Sequence, residues 1–498
     1  MKVALVWPEV LDMARYRELR KEFPPFGVLY LASVLEQHDI EVVLYKLTPT
    51  SLSFDFSEFD AVGFSVSASA TFNMFMECRD KSQFAPDTLF MVGGVHATLL
   101  PEQTLIDLRP DVVGIGEGEE TILDLLDKKL SKDFSNVLGV CYLGQNGAPV
   151  RTPPRPLNRD ISQFPYPARH LLQESDFIMS DRMSNTNTRM THIVPGRGCP
   201  FPCRFCASAQ TTVQLRTGAD FRRELEYLVD QYQIAGFAIV GNDFILSPKN
   251  VHDICDHIAD LDLSWATLTR VDRVDYGTLA KMKKAGCYEI EFGVESGSQR
   301  MLDAMDKRAT VVQATDALAA SAECGIKNKV FLVHGFPGEN SRSTDETIRF
   351  LDRVDRHIER VSLFRWVPLP GTYAFNHAGE YGIRGTLDDP GWDGDWGKFH
   401  IHHNHHHWWG SSRAFAELTR EYEKLKQYVE SRWPSRFSHQ EIPEDQWHTQ
   451  SKRYSSSLGG SFYTVKHVPA GERKAVPTKL VRSRTSISGN SPETSRRG

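Results

Sequence analysis

Apolar runs and amphipathic stretches alternate along most of the chain. A short β-rich run, KVALVW, is followed after a loop by FGVLYLASVLEQH, whose apolar residues recur at helical spacing, and then by a second apolar run, IEVVLYKL. This order predicts a βαβ unit. The alternation continues through AVGFSVS, a helix containing Met74 and Met76, TLFMVGG, a short helix after Pro101, DVVGIGEGE and the helix ETILDLLDKKL. Apolar strands separated by helix-length segments predict an α/β fold, a doubly wound, Rossmann-like parallel sheet covered on both faces, over residues 1–145. Ligands of such sheets sit beyond the carboxyl ends of the strands. The residues expected there are small or polar: Ser65, Ser67 and Ser69, then Gly93, Gly94 and His96, then Gly114, Gly116, Glu117 and Gly118. Singly, each glycine reads as ordinary turn chemistry; together they describe one crevice that lets backbone approach a large ligand.

A hairpin is expected in VLGVCYLGQNGAPVRTPP, after which TPPRPLNRDISQFPYPAR is dense in proline and arginine. Proline donates no backbone hydrogen bond, so residues 146–188 read as an extended linker. Beyond it six strand-like runs return: THIVPGRG, FAIVGNDF, SWATLTRVD, YEIEFGVES, KNKVFLVHGFPG and VSLFRWVPLP, with helical segments between them. This pattern predicts a partial (β/α)6 barrel over residues 189–375. Barrel chemistry gathers at the carboxyl ends of the strands, where Cys199, Asn242, Asp243, Arg270, Glu295, Ser296 and Gly335 fall.

The last part divides in two. Residues 376–440 carry GWDGDWGKFHIHHNHHHWWG, with six histidines and four tryptophans, and then a predicted helix, FAELTREYEKLKQYVESRW. The histidine tract reads as a metal-binding segment, as a lid over the barrel mouth on the substrate side, or as a packed or solvated loop. Residues 441–498 are rich in Ser, Arg, Lys, Pro and Gly, and are expected to stay disordered.

Length and charge narrow the field. A chain of 498 residues suggests about three domains. A net charge of -6 with mixed signs offers no basic face for nucleic acid or an anionic membrane. No signal peptide is evident and no apolar run reaches the roughly 20 residues that span a bilayer, so a cytoplasmic location is expected. Of eight cysteines, Cys78, Cys141, Cys255, Cys287 and Cys324 are scattered and read as core thiols.

The other three stand in GRGCPFPCRFCAS as Cys199, Cys203 and Cys206, after the first barrel strand, on a loop that Pro200 and Pro202 keep from becoming helix. A structural zinc site wants four ligands, and none follows at finger spacing. A [4Fe–4S] cube held by three thiolates leaves one iron open to another ligand. Zinc binding and unligated core thiols are the alternatives.

This CxxxCxxC loop, with GVESGS at Gly293–Ser298 and HGFPGEN at His334–Asn340, resembles the radical S-adenosylmethionine (SAM) superfamily over about residues 190–375. GGVHATLLPE followed by VVGIGEGEET resembles the cobalamin-binding (B12) domain that precedes many such enzymes, over about residues 1–140. Two departures stand out: the DxHxxG motif, which supplies a histidine to cobalt in one class of B12 domains, is absent, and Lys46 stands where the family often has aspartate. The resemblance implies a cobalamin-dependent radical SAM enzyme with a [4Fe–4S] cluster, SAM and methylcobalamin as cofactors. Cys199, Cys203 and Cys206 would ligate the cluster, and Phe205 would lie along the adenine. Gly241, Asn242 and Asp243 would approach the methionine end of SAM, with Glu295 and Ser296 near its ribose or carboxylate. Many relatives carry two acidic residues where this chain has Asn242 and Asp243. Glu295 could instead serve as a helix N-terminal residue, and Arg270, also a cofactor-contact candidate, as a structural ion pair.

Implied too is methyl transfer to an unactivated carbon of a small-molecule or natural-product substrate, through a 5′-deoxyadenosyl radical, with an electron donor such as flavodoxin or ferredoxin. Two readings compete with it: a radical SAM oxidative cyclase or rearrangement enzyme that moves no methyl group, and a cobalamin or iron–sulfur binding protein without catalysis.

Overall fold

The computed structural model describes residues 1–8, 24–180, 189–399 apart from 385, 388, 390 and 391, and 412–433. Its first sheet runs β1 (Lys2–Pro8), β2 (Glu41–Leu47), β3 (Ala61–Ser65), β4 (Leu89–Gly93), β5 (Val112–Gly114), β6 (Val140–Leu143) and β7 (Pro149–Arg151). The spatial order is β2-β1-β3-β4-β5-β6-β7. The first five strands are parallel and the last two form the expected antiparallel hairpin. Helices α1 (Phe26–Gln37), α2 (Phe72–Lys81), α3 (Val95–Leu99), α4 (Pro101–Leu108) and α5 (Thr121–Asp127) provide the crossovers. β1 shows why both faces are covered. Its side chains alternate, so Val3 and Leu5 join one core with Val28, Leu29 and Leu35 of α1, while Ala4 and Val6 join the other with Phe72 and Phe75 of α2.

The second sheet holds the six parallel strands predicted for the barrel: β9 (Arg189–Ile193), β12 (Gly236–Ile239), β13 (Ser264–Arg270), β14 (Cys287–Glu295), β15 (Lys327–His334) and β16 (Arg360–Arg365). They stand in sequence order, the arrangement of a part-barrel. A short strand β8 (Met179–Ser180) adds antiparallel to the open side of β9. The covering helices are α6 (Gly218–Tyr232), α7 (Pro248–Ile258), α8 (Tyr276–Lys284), α9 (Gln299–Ala304), α10 (Val311–Glu323) and α11 (Ser341–Val354). Several start on side-chain caps: Thr217, Ser247, Asp275, Thr310 and Asn340 each accept a first-turn amide hydrogen bond. A two-strand ribbon, β10 (Gly196–Arg197) with β11 (Gln214–Leu215), brackets the cysteine loop. Residues 412–432 form the predicted C-terminal helix. Cys78, Cys141, Cys255 and Cys287 are buried thiols, and Cys324 is half-buried.

The proline-rich joint is not a free spacer. Ala168 donates its amide to Leu29 of α1, and Arg169 beside it is wholly buried. Arg169 pairs with Glu224 at 2.7 Å and donates to the His192 carbonyl at 3.0 Å. Arg216 pairs with Asp220 at 2.7 Å, grips the other oxygen of Glu224 and donates to the Val194 carbonyl at 3.2 Å. Two guanidiniums thus face two carboxylates. Burial alone would raise the Glu224 pKa, but Arg216 and Arg169 outweigh it and hold the carboxyl below its usual range. Removing one buried partner exposes the full cost of the other, so Glu224→Gln should lower stability by about 3–5 kcal/mol. Urea unfolding of the variant checks this, and an unchanged midpoint would contradict it.

Candidate active site

The cysteine loop begins with a backbone constraint. Gly198 has φ +83°, and a Cβ there would stand 1.9 Å from the Thr212 carbonyl oxygen, so no other residue fits. Cys199 donates its amide to the Thr211 hydroxyl at 2.8 Å, and the Thr211 amide returns a 2.8 Å bond to the Cys199 carbonyl. Gln210 donates to the Phe201 carbonyl, closing the loop on itself. Its far side is pinned as well: Arg204 donates to the Met305 carbonyl and accepts from the Ala374 amide.

The three thiols are held up in pKa, chiefly by burial. Cys206 is pushed to about 11, with Cys203 and Cys199 each adding to the rise. Iron would displace these protons, because the thiolate is the ligand. Arg270, at the end of β13, donates to Cys203 Sγ at 3.3 Å, pairs with Asp272 at 2.8 Å and lies 3.9 Å from the Phe201 ring centroid. It is an ion-pair residue and a neighbour of the cluster loop at once. Among the described residues, no group of three or more His, Cys, Asp or Glu side chains is arranged to hold a metal ion.

Beyond β12, Gly241 and Asn242 are exposed and Asp243 is buried. They line a cleft with Gly196, Gly198 and Leu268. Asp243 Oδ1 accepts from the Thr269 hydroxyl at 2.7 Å and the Ile245 amide at 3.2 Å, while Oδ2 is buried with no hydrogen-bond partner. Burial raises this carboxyl's pKa. An orphaned acceptor beside the cysteine loop suits an incoming ammonium group.

Glu295 ends β14 at φ +66°, where the register with β15 shifts. It lies outside α9, so the helix N-terminal reading does not hold for it. Its Oε1 pairs with Lys307 Nζ at 2.7 Å, both side chains being buried, and Lys307 lies 6.0 Å from the half-buried Phe205 ring. A left-handed non-glycine residue carrying a buried charge pair is a stored strain of the kind found at ligand sites. Lys307 sits in the turn after α9, in a segment whose periodicity drew no attention to it. Ser296 is engaged by Thr347 of α11 and by the Ser298 amide, so it shapes the turn.

Across from the barrel, Gly94 has φ +98° and its missing Cβ would stand 2.6 Å from the Val66 carbonyl oxygen. Ser65 and Gly93 are half-buried and Ser67 is exposed. Gly116 donates its amide to Thr98 Oγ1, and Gly118 packs on Leu31. Two residues expected on this crevice have protein partners of their own. His96 is 1% exposed, its Nδ1 at 2.9 Å from Ser69 Oγ and its ring between Phe72 and Trp396 at 4.4 and 4.7 Å. Burial lowers its pKa to about 3, so it stays neutral. Glu117 pairs with Arg197 of the ribbon.

Trp396 comes from the Trp/His-rich stretch. The described part of that stretch packs on the N-terminal domain through Phe72 and an Asn73–Asp395 hydrogen bond. The histidines at 400–407 lie outside the described residues.

Residues 193–351 match the family model of the radical SAM superfamily, and residues 15–126 match that of the B12 binding domain. An uncharacterized methyltransferase of Pyrococcus horikoshii is 30% identical over 392 residues, covering 76% of this chain and 83% of that protein. The chain belongs to the family of cobalamin-binding radical SAM enzymes. The cofactors of this enzyme are therefore a [4Fe–4S] cluster, SAM and cobalamin. An anaerobic magnesium-protoporphyrin IX monomethyl ester cyclase of Rubrivivax gelatinosus is 25% identical, covering 73% of this chain and 68% of that protein. The fold is also that of TsrM from Kitasatospora setae, a radical SAM methyltransferase solved with cobalamin and a [4Fe–4S] cluster, at TM-score 0.61, 17% identity and 87% and 88% coverage. The cobalamin-dependent enzyme OxsB matches at TM-score 0.58 and 20% identity, covering 71% of this chain and 52% of that one. No helix among the described residues is long and apolar enough to cross a membrane.

Cys203→Ala should abolish the visible absorbance of the cluster and all cleavage of SAM. Anaerobic reconstitution followed by chromatography for 5′-deoxyadenosine checks this, and retention of both signals would remove Cys203 from the ligand set.

Proposed function

We propose that the enzyme moves a methyl group from SAM, by way of cobalamin, to an unactivated carbon of a small-molecule substrate. The observation that carries this reading is the meeting of the two halves. The ribbon that brackets the cysteine loop is joined directly to the turn at the carboxyl edge of the cobalamin-binding sheet through Arg197 and Glu117. The methyltransferase name of the Pyrococcus relative supports it.

In this reading Cys199, Cys203 and Cys206 hold the cluster and Arg270 steadies the Cys203 sulfur. Gly241 and Asn242 would let the methionine end of SAM approach, and Asp243, whose Oδ2 has no partner inside the protein, would receive its amino group. Glu295, held by Lys307, would serve the ribose or carboxylate, and Phe205 would lie along the adenine. Ser65, Ser67, Gly93, Gly94, Gly116 and Gly118 line the corrin crevice, while His96 and Ser296 support the walls from behind. When bound, the cluster and SAM supply a radical able to take a hydrogen atom, and cobalamin supplies the methyl carrier. No acid or base among these residues needs to attack an unactivated C–H bond. Their work is to bind, orient and exclude water. A small protein electron carrier, flavodoxin or ferredoxin, delivers the reducing electron, and the reducing cytoplasm suits the free thiols.

The relationship to the Rubrivivax cyclase favours, as a second reading, oxidative cyclisation without methyl transfer. The two separate on what becomes of SAM. Reduced, cobalamin-loaded enzyme should release S-adenosylhomocysteine, the product left when SAM gives up its methyl group, along with 5′-deoxyadenosine. Release of 5′-deoxyadenosine and methionine alone would favour the cyclase reading.

A further inference from the structure

Arg197 and Gln214 face each other across the β10–β11 ribbon, and both reach the same carboxylate. Arg197 Nη1 lies 3.3 Å from Glu117 Oε2, and Gln214 Nε2 donates to that same oxygen at 3.1 Å. The second guanidinium nitrogen, Nη2, pairs with Glu119 at 2.5 Å, and the guanidinium carbon lies 4.9 Å from the Tyr30 ring centroid. Glu119 is 4% exposed and Gln214 is 1% exposed. These contacts join two domains. Glu117 and Glu119 lie on the turn between β5 and α5, and Tyr30 lies on α1 of the same sheet. Arg197 is separated from Cys199 only by Gly198, whose backbone admits no other residue.

We infer that Arg197, gripping Glu117 and Glu119 beside Gln214, is an interdomain clamp that sets the separation between the cluster loop and the cobalamin crevice. This rests on the proposed cofactor placement. Glu117 then acts through Arg197 rather than on the corrin, and all four are positioning residues. A radical formed at one cofactor and a methyl group carried on another can meet one carbon only if their separation is fixed, since small misplacements are costly. Arg197 and Glu117 are half-buried and Glu119 is buried, so the guanidinium is shared between two carboxylates in a partly dehydrated joint, where reduced screening strengthens each contact and the planar fork restricts its direction. A surface ion pair would be held less firmly.

The test uses the full chain loaded with cluster and cobalamin, and then the same chain without cofactors. Pulsed electron paramagnetic resonance between cob(II)alamin and the reduced cluster reads their separation. Arg197→Gln should keep the iron and cobalt content of the parent yet widen the distance distribution about twofold, and Arg197→Lys should restore part of the sharpness. An unchanged width overturns the clamp, as does loss of cobalt in Glu117→Gln, which would make Glu117 a cofactor contact. In cofactor-free protein, Arg197→Gln should speed hydrogen exchange about tenfold in the Glu117–Glu119 turn as well as in the ribbon. Exchange unchanged in that turn overturns the clamp whatever the cofactors do. A parent chain that binds no cobalt would sink the cofactor reading instead, leaving the exchange result to decide the clamp.

Discussion

A guanidinium taken out of water loses hydration worth several kcal/mol, and Arg169 and Arg216 are both buried at the joint between the two domains. They are tolerable there because Glu224 and Asp220 neutralise them and because each spends a further donor on a backbone carbonyl. Those carbonyls belong to His192 and Val194, at the end of the first barrel strand. One charged knot therefore fixes the linker, helix α6 and the start of the segment that carries the cluster loop. Everything downstream inherits that position, including the ribbon, the Gly198 turn and the three thiols.

From this anchor the site can be open without being loose. The loop has little regular structure, yet its amides and carbonyls are paired with each other, with Met305 and with Ala374. The thiols stand in a desolvated setting that favours their protonated form, and Arg270 offers Cys203 a positive neighbour that a thiolate would use. Loading iron must release protons, so assembly is coupled to pH, and the folded loop waits in the neutral state. Asp243 shows the same logic from the acceptor side. One oxygen is held by Thr269 and the other has no partner inside the protein.

Much of the fold was legible because the strands are apolar throughout and the helices carry clear periodicity. Both parallel sheets, the hairpin and the C-terminal helix follow from those two patterns. The cysteine triplet was legible for a different reason: few structures need three thiols so close together. Less visible was anything that depends on contacts distant in sequence. Arg169 sits in a stretch that reads as spacer, and only its pairing with Glu224 reveals it as core. Glu117 and His96 lie at the strand ends where a ligand would be sought, and their contacts with Arg197 and Trp396, remote along the chain, are not written in any local pattern. Lys307 is an unremarkable lysine in a short turn until Glu295 is placed beside it. Ribbon β10–β11 is two residues per strand, too short for alternation to register.

One chain holds both metal cofactors, and metal analysis of protein purified without oxygen from cells supplied with cobalamin counts them. About four irons and about one cobalt per chain are expected. Iron at that level with no cobalt would overturn the two-cofactor enzyme, leaving a radical SAM enzyme whose N-terminal sheet plays no part in carrying a methyl group.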